Sequence, residues 1–376
     1  MPRSSLKPLE RNKNLEIELL RAVAILLVLY QHLGALFGAR SEKVGTFLDA
    51  VQGWSGVDLF LCISGYVVSR SLIEQLGAHQ TEGRGDRFWQ VIKAFWVRRA
   101  FRLFPSAWLW ACLVLVWSLV LPGFGVAKQN VLALLSIVTF TANFTLQQGI
   151  LEPVLNPYWS RSLEEQFYFL LPAFLFFVRG QARWKLLTVC ILTQFFIPRS
   201  GLILALRLDS IMWGVLIYLL TSREGAPAAA GPAAPRWQAL MLNAALFGLL
   251  VYVTSQKSFV AGQIGLISLI SAALVYLATR EQDYILPIGK GRQALYWVGS
   301  RSYTIYLVHM PIYFFTSMVW STSMRLAGLP NDAALAPLFL ALSLTLIGGV
   351  SEINFRYVES PLRDRGRQIA ARLSSA

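Results

Sequence analysis

A series of eleven apolar runs, each long enough or nearly long enough to cross a membrane, constrains this chain more than any other feature. Crossing a hydrocarbon layer ~30 Å thick takes ~20 consecutive apolar residues in a helix. Within that layer every backbone polar group must be bonded inside the protein, and a helix achieves this within one segment. The sequence therefore predicts an all-α polytopic membrane protein. The runs lie at roughly 17–37, 55–75, 103–121, 130–147, 164–179, 185–200, 202–221, 238–254, 262–279, 295–319 and 335–354.

Composition excludes an ordinary soluble domain. Of the 376 residues, 55% are hydrophobic and only 14% are charged, whereas a soluble globular domain carries roughly 25% charged residues. The net charge of +14 comes from basic residues in short segments between the apolar runs. This distribution is typical of cytoplasmic segments beside anionic lipid. We therefore expect membrane lipid as a partner and no nucleic acid.

Charge at the two ends sets the expected topology. Basic residues crowd both the N-terminal segment and the tail at 355–376, so both termini are expected in the cytoplasm. An even number of crossings follows. About ten transmembrane helices fit the charges if the run at 130–147 is re-entrant or partial. We interpret 1–376 as a single integral membrane domain with a cytoplasmic linker rich in Ala, Pro and Gly at 222–236.

Two ionisable residues of the first run, Arg21 and His32, stand eleven positions apart. Eleven residues make almost three helical turns, so the two side chains share one helix face ~16 Å apart. One can lie at a membrane surface while the other lies about half-way through the hydrocarbon layer. Because an ionisable group at that depth is costly, it indicates a functional site. His309 is a second such histidine, and with Ser302 and Tyr306 it forms a polar stripe at i, i+4 and i+7.

The stretch DRFWQVIKAFWVRRAFRLFP, from Asp86 to Pro105, combines aromatic residues with arginines at one end. This pattern predicts a cytoplasmic interfacial helix. Its simplest role is an anchor beside anionic lipid. The alternative is that Arg99 and Arg102, at i and i+3 on one face, hold a polyanion such as the phosphates of a nucleotide-containing cofactor. Both interpretations stay open at this point.

Further polar residues lie within the second and seventh runs. We expect Asp58 to be solvated at the outer interface, and the pair Ser64-Gly65 to mark close helix packing. Arg207 and Asp209 favour an internal ion pair, with an interfacial arginine as the alternative.

A double carboxylate, Glu164-Glu165, immediately precedes another apolar run. Charged side chains at such a position predict that one of the two lies in a polar pocket. Ser162 followed by Glu165 also resembles a capping box, which would make part of this pattern a simple helix start.

Seven short motifs, in order along nearly the whole chain, resemble those of the membrane acyltransferase 3 family. Arg161 departs from the pattern, because the family usually has an apolar residue there. The motifs are R-x10-H from Arg21 to His32, GVDLFLCISGY from Gly56 to Tyr66, R-x-x-R from Arg99 to Arg102, WSRSLEEQFY from Trp159 to Tyr168, R-x-D from Arg207 to Asp209, SYTIYLVHMP from Ser302 to Pro311, and ESPLR from Glu359 to Arg363.

The resemblance implies an O-acyltransferase of the bacterial cytoplasmic (inner) membrane. Such an enzyme moves an acyl group, with acetyl as the default, from cytoplasmic acyl-coenzyme A to a hydroxyl of an extracytoplasmic or lipid-linked glycan. It implies a stand-alone form, because only about twenty residues follow the last run and leave no room for the family's frequent SGNH hydrolase-like domain. No metal is expected.

The resemblance also implies three groups of site residues. His32 is the expected general base, because histidine is the side chain best matched to removing a hydroxyl proton at neutral pH. The other catalytic candidates are Arg21, Glu164 and His309. The donor-binding candidates are Arg98, Arg99, Arg102, Ser64 and Tyr66. The acceptor-side candidates are Trp159, Glu165, Arg207, Asp209, Ser302 and Tyr306.

Two questions stay open at this level. Transfer can be direct or can pass through an acyl-enzyme, for which Ser64, Ser160 or His32 would supply the nucleophile. A polytopic lipid or glycan transporter would also contain an intramembrane polar path, although the R-x10-H pair would have no obvious use in it.

Overall fold

The computed structural model describes residues 14–37, 42–77, 86–197, 201–222, 235–256, 262–282, 284–285, 291–328 and 335–375. All regular structure within these ranges is helical, as the apolar runs predict. The helices are α1 Leu15–Gln31, α2 Leu33–Phe37, α3 Glu42–Ala50, α4 Ser55–Gly77, α5 Asp86–Val120, α6 Ala127–Val138, α7 Ala142–Gln147, α8 Tyr158–Phe177, α9 Ala182–Phe196, α10 Gly201–Ala205, α11 Asp209–Thr221, α12 Arg236–Ser255, α13 Gln263–Thr279, α14 Gly291–Ser300, α15 Ser302–Ala327, α16 Ala336–Asn354 and α17 Ser360–Ser375.

Several of these helices are suited to a membrane. Among the described residues, five helical segments are long and apolar enough to cross one, and three shorter helices are also apolar. The protein is therefore an integral membrane protein, while a total of ten crossings stays a prediction. The five segments are Leu15–Phe37, Ser55–Gly77, Arg87–Val120, Trp237–Ser255 and Ala336–Ser374.

The run at 130–147 does not form one helix. It is divided between α6 and α7, and Phe140 in the break has a positive φ of 57°. At ~1.5 Å per residue, neither piece alone can cross a ~30 Å layer. Asn143, at the start of α7, is buried and donates a hydrogen bond to the backbone oxygen of Ala205 (3.0 Å). The run is thus broken at Phe140, and Asn143 in its second part is covered by protein, while the predicted failure of this run to span stays a prediction.

The predicted interfacial helix is not a separate element. The aromatic and basic stretch continues without a break into the next apolar run, so that both belong to the 35-residue helix α5. Pro105 lies inside this helix and does not end it, because neighbouring helices can satisfy the backbone group that a proline frees. The change in composition near residue 103 therefore marks a change in environment and not a helix boundary.

The basic tail also differs from the prediction. Residues 355–359 form a π-helical turn that joins α16 to α17. Helix α17 packs along α5, and the Cα of Gly366 lies so close to Phe101 that a Cβ there would meet its side chain. The tail is therefore a packed helix. Of the predicted linker at 222–236, residues 223–234 lie outside the described residues.

Helices α4 and α11 approach each other closely at glycines, which confirms the predicted packing role for Gly65, whereas Ser64 donates to Glu164. A Cβ at Gly65 would collide with the backbone oxygen of Ile211, and one at Gly214 with the backbone oxygen of Cys62. Small residues at both positions allow the two backbones to touch, as in other membrane helix pairs.

We expect Gly65→Ala to lower the free energy of unfolding by about 1–3 kcal/mol, because the added methyl group forces the two backbones apart. The measurement is the midpoint of SDS-induced unfolding in lipid bicelles. Gly248→Ala on α12 is the matched control, since nothing lies within 4 Å of the position of its Cβ. Equal stability of the two variants would contradict the close packing.

The two ends of α1 contact different parts of the protein, which we call the first layer, around Asn14, and the second layer, around Gln31. At its start, the Asn14 side chain donates to the backbone oxygen of Ala278 (2.8 Å). At its other end, the Gln31 amide donates to Gln52 Oε1 (3.0 Å), and the Gln52 backbone N–H donates to Ser255 Oγ (2.9 Å). His32 lies in the second layer, while Arg21 lies nearer the first.

Candidate active site

A cavity of about 80 Å³ with several charged groups in its wall lies among α1, α4, α5, α8 and α15. Its wall includes four guanidinium groups, one carboxylate and several hydroxyl groups, an unusual set for the interior of a membrane protein. The arginines are Arg21, Arg99, Arg102 and Arg161; the carboxylate is Glu164; and the hydroxyl groups belong to Ser64, Ser160, Tyr168, Ser302, Tyr303 and Tyr306.

Two arginines of α5 face the cavity without a described carboxylate partner. The Arg99 guanidinium lies 5.1 Å from the centre of the Tyr168 ring and 5.6 Å from that of Phe95. The Nε of Arg102 is buried and has no hydrogen-bond partner among the described residues. Arg21, in contrast, pairs with Glu18 (3.0 Å). Arg99 and Arg102 are half-buried and form no ion pair among the described residues, so both guanidinium groups can bind an anion in the cavity.

Glu164 is the centre of a hydrogen-bond cluster on the cavity wall. Its carboxylate accepts hydrogen bonds from Ser64, Tyr168 and Arg161. Arg161 also pairs with Glu165 at 2.9 Å. The prediction that one of the two glutamates lies in a polar pocket is therefore confirmed for Glu164.

The capping-box interpretation of Ser162 and Glu165 is wrong. Helix α8 begins at Tyr158, so Ser162 lies inside its first turns. The Ser162 hydroxyl accepts a hydrogen bond from the backbone N–H of Ala142 (3.2 Å), which links α8 to α7. The local pattern could not reveal this, because the partner is distant in sequence.

The two histidines of the apolar runs, His32 and His309, contact each other outside the cavity wall. His32 Nδ1 lies 3.3 Å from His309 Nε2 and 2.9 Å from the backbone oxygen of Val28. His309 Nδ1 lies 2.8 Å from the backbone oxygen of Tyr306. His309 is fully buried, whereas His32, the residue that ends α1, is partly exposed.

These contacts assign the protons of the neutral imidazoles. A backbone oxygen only accepts, so Nδ1 of each ring carries the hydrogen. His309 Nε2 is then an acceptor for His32 Nδ1–H. The Nε2 atom of His32 keeps its lone pair, which is the form that a general base needs.

Tyr306 separates the cavity from the histidine pair. Its ring lines the cavity and lies 5.7 Å, centre to centre, from that of His309. Its hydroxyl donates to the backbone oxygen of Pro157 (2.9 Å) and lies 2.6 Å from Ser160 Oγ. The stripe predicted for Ser302, Tyr306 and His309 therefore runs from the cavity wall to the histidine pair.

Arg207 forms a buried ion pair with Asp58, a residue distant in the sequence. The Arg207 Nη2 to Asp58 Oδ2 distance is 2.8 Å, and Ser210 donates to the other oxygen of Asp58 at 3.0 Å. Asp58 is only 1% exposed, so the expectation that it is solvated at the interface is wrong. Burial of Asp58 is tolerated because a cation and a hydroxyl both bind it.

Besides His32, His309 and Arg207, five predicted site residues lie outside the cavity wall. Arg98 points away and donates to Gln75, while Tyr66 packs against Tyr218 with ring centres 6.1 Å apart. Both corrections follow from helix geometry, since neighbours on one helix face different directions. Asp209 is buried at the start of α11, and Trp159 lies against Arg207. Glu165 lines a smaller neighbouring cavity with Arg161.

Comparison with known proteins identifies the family to which this chain belongs. The family described as "Acyltransferase domain" matches residues 14–350. The chain belongs to this acyltransferase family. The resemblance predicted from the seven motifs is confirmed.

Two named relatives show the extent of the similarity. The chain is 25% identical to the peptidoglycan O-acetyltransferase OatA of Listeria monocytogenes, over 93% of its own length and 56% of that protein. It is 23% identical to the O-acetyltransferase OatA of Staphylococcus aureus, over 92% of its length and 57% of that protein. The chain thus spans just over half the length of these relatives. No solved structure matches it.

Sequence reasoning missed three cavity residues of this acyltransferase family member: Tyr168, Arg161 and Tyr303. Tyr168 stands four positions after Glu164, a spacing that places both on one helix face and could have revealed it. The Arg161 guanidinium lies 5.0 Å from the centre of the Tyr303 ring. That contact joins α8 to α15, so no local signal could have predicted it.

Among the described residues, no group of three His, Cys, Asp or Glu side chains could hold a metal ion.

Proposed function

We propose that this protein is a membrane O-acyltransferase. It moves an acyl group, acetyl by default, from acyl-coenzyme A to a hydroxyl of an extracytoplasmic or lipid-linked glycan. The observation that carries the proposal is one arrangement of helices with a cavity lined by four arginines at one end and, past Tyr306, a histidine pair with an unprotonated ring nitrogen at the other. The O-acetyltransferase names of the relatives support the same reaction class.

The arginine end suits the phosphates of the donor. Neither Arg99 nor Arg102 forms an ion pair among the described residues, and the Nε of Arg102 has no hydrogen-bond partner there. Guanidinium groups bind phosphate through charge-assisted hydrogen bonds, which are stronger in a low-dielectric cavity than in water. The acyl arm of the donor then extends along the cavity toward Tyr306 and the histidines.

The histidine end suits the acceptor. His32 Nε2 removes the proton of the acceptor hydroxyl, and the oxygen attacks the thioester carbonyl. The new C–O bond forms, the C–S bond breaks, and the proton passes from His32 to the departing thiolate. His309 accepts from His32 Nδ1–H (3.3 Å) and so holds the ring in the reactive tautomer. His309 is a positioning residue in this scheme.

The cavity arginines and the histidine pair lie at different ends of this arrangement, which gives the protein a direction. Arg21, Arg99 and Arg102 face the cytoplasm, where acyl-coenzyme A is made, and His32 faces the opposite layer with its partly exposed ring. With both termini in the cytoplasm, this orientation follows the positive-inside rule. We assign the protein to the cytoplasmic membrane of a bacterium on the same grounds.

Loss of the thioester from radiolabelled acetyl-coenzyme A by purified protein in liposomes tests the reaction. Label should pass to an added glycan, and omission of the glycan should slow thioester loss. A protein that neither binds nor consumes acetyl-coenzyme A, but carries glycan or lipid across the liposome membrane, would be a transporter instead.

We expect Arg102→Ala to weaken binding of acetyl-coenzyme A roughly 10–100-fold, because a hydrogen bond to a charged group contributes about 1.5–3 kcal/mol. Equilibrium binding of the radiolabelled donor measures this. The matched control is Arg98→Ala, since Arg98 binds Gln75 and lies off the cavity wall. Acetyl-pantetheine, which lacks the nucleotide phosphates, should bind the wild type and Arg102→Ala equally. Equal losses in both arginine variants would contradict a specific phosphate site.

A further inference from the structure

We propose that Trp54, Trp159 and Arg207 form a carbohydrate-binding platform that holds a pyranose ring of the acceptor beside His32. The inference rests on the proposed function, because it names how the acceptor of that reaction is recognised. It assigns a carbohydrate ligand to two tryptophans and a buried arginine. The packing of these three residues does not by itself require a ligand.

Two indole rings enclose one guanidinium group in this platform. The Arg207 guanidinium lies 4.8 Å from the centre of the Trp159 ring and 5.3 Å from that of Trp54. Arg207 is only 8% exposed, whereas both tryptophans are partly exposed. Cation–π contacts and the ion pair with Asp58 hold the arginine in place. The accessible parts of the platform are therefore indole surfaces in fixed orientations.

One polar atom of the platform is not satisfied. The Nε of Arg207 is buried and has no hydrogen-bond partner among the described residues. A buried donor without a partner is costly, and its presence indicates a ligand or water that completes it. A sugar hydroxyl can accept that hydrogen bond.

The platform lies in the same layer as the histidine pair. Gln31, the residue before His32, accepts a hydrogen bond from the backbone N–H of Gly53 (2.7 Å), which directly precedes Trp54. On the other side, Ser160 directly follows Trp159, and its hydroxyl lies 2.6 Å from that of Tyr306, the neighbour of His309. Short chain connections therefore link both tryptophans to the proposed site of proton removal.

Carbohydrate is the ligand class that this chemistry favours. One face of a pyranose ring presents C–H groups that pack on an indole surface, while its hydroxyl groups need hydrogen-bond partners. The platform supplies indole surfaces and an unsatisfied N–H. Asp58 already neutralises Arg207, so an uncharged sugar suffices.

Direct binding of a chito-oligosaccharide, without acyl-coenzyme A, tests the platform separately from catalysis. We would measure quenching of tryptophan fluorescence and, in parallel, equilibrium dialysis with labelled chitotetraose. Trp54→Ala and Trp159→Ala should each weaken binding roughly tenfold. Trp159→Phe, which keeps an aromatic face, should retain most of it. Trp237→Ala is the matched control, because Trp237 lies 64% exposed on α12.

The outcomes separate the platform from the reaction. If the wild type binds the oligosaccharide and neither alanine variant loses affinity, the platform is wrong and the acyltransferase proposal stands. If the wild type consumes acetyl-coenzyme A but does not bind the oligosaccharide, the carbohydrate assignment fails alone. If it binds the oligosaccharide through the tryptophans but never consumes acetyl-coenzyme A, the proposed reaction fails and the platform remains. Unfolding midpoints of all variants exclude loss of binding through loss of fold.

Discussion

Replacement of His32 with alanine is expected to lower the rate of acyl transfer about 10²–10⁴-fold, the usual contribution of a positioned general base. The reason is that Nε2 of His32 is the ring nitrogen left unprotonated by the contacts of His32 Nδ1 with Val28 and His309. Thioester loss from radiolabelled acetyl-coenzyme A in the presence of glycan measures the rate. Donor binding should be unchanged, because the cavity arginines are intact.

Two comparisons sharpen this experiment. Leu26→Ala is the control on the same helix, since Leu26 is 44% exposed and lies away from the histidines. His309→Ala should cost less than His32→Ala, because His309 only positions the ring that removes the proton. If His309→Ala abolishes transfer while His32→Ala retains it, the roles of the two histidines are reversed.

Asp58→Ala is expected to lower the free energy of unfolding by about 3–5 kcal/mol, because it leaves a buried arginine without its counter-ion. Asp58 and Arg207 are 1% and 8% exposed, so water cannot replace the lost partner. Ser210 would also lose the carboxylate to which it donates. Unfolding by SDS in lipid bicelles measures the loss.

An exposed ion pair serves as the control for Asp58→Ala. Arg70 and Glu74 are 3.1 Å apart on α4, with side chains 43% and 55% exposed. Glu74→Ala should cost about 0–1 kcal/mol, the usual contribution of a surface pair. Equal costs for Asp58→Ala and Glu74→Ala would mean that Arg207 is hydrated and that the buried pair does not hold α4 to the segment preceding α11.

Much of the candidate site could be predicted because its residues stand at helical spacing along single helices. Arg21 and His32 occupy one face of α1 and its end, and Ser302, Tyr306 and His309 follow one face of α15. Helical spacing is a local property, so the sequence contains it. Arg98 and Tyr66 were wrongly included for a related reason: a short motif does not say which of its members faces the cavity.

The run at 130–147 and helix α5 show how local signals limit the prediction of the fold. Charge counting indicated that one run does not span, and the structure divides that run at Phe140. The same reasoning divided α5 at a change of composition, although no residue there ends the helix. Helix boundaries depend on capping and on what the neighbouring helices cover, and composition records neither of these.

The membrane class and the polar helix faces follow from the amino-acid sequence, because hydropathy, charge and helical spacing are local. The acyltransferase family was indicated by the resemblance of seven ordered motifs, which the sequence also contains. The partners of those residues come from the tertiary structure. Arg207 pairs with Asp58 across 149 positions, and His309 meets His32 across 277. Contacts between residues so far apart in the sequence depend on how the helices pack in three dimensions. A buried charge or imidazole is stable only where the fold places a partner beside it.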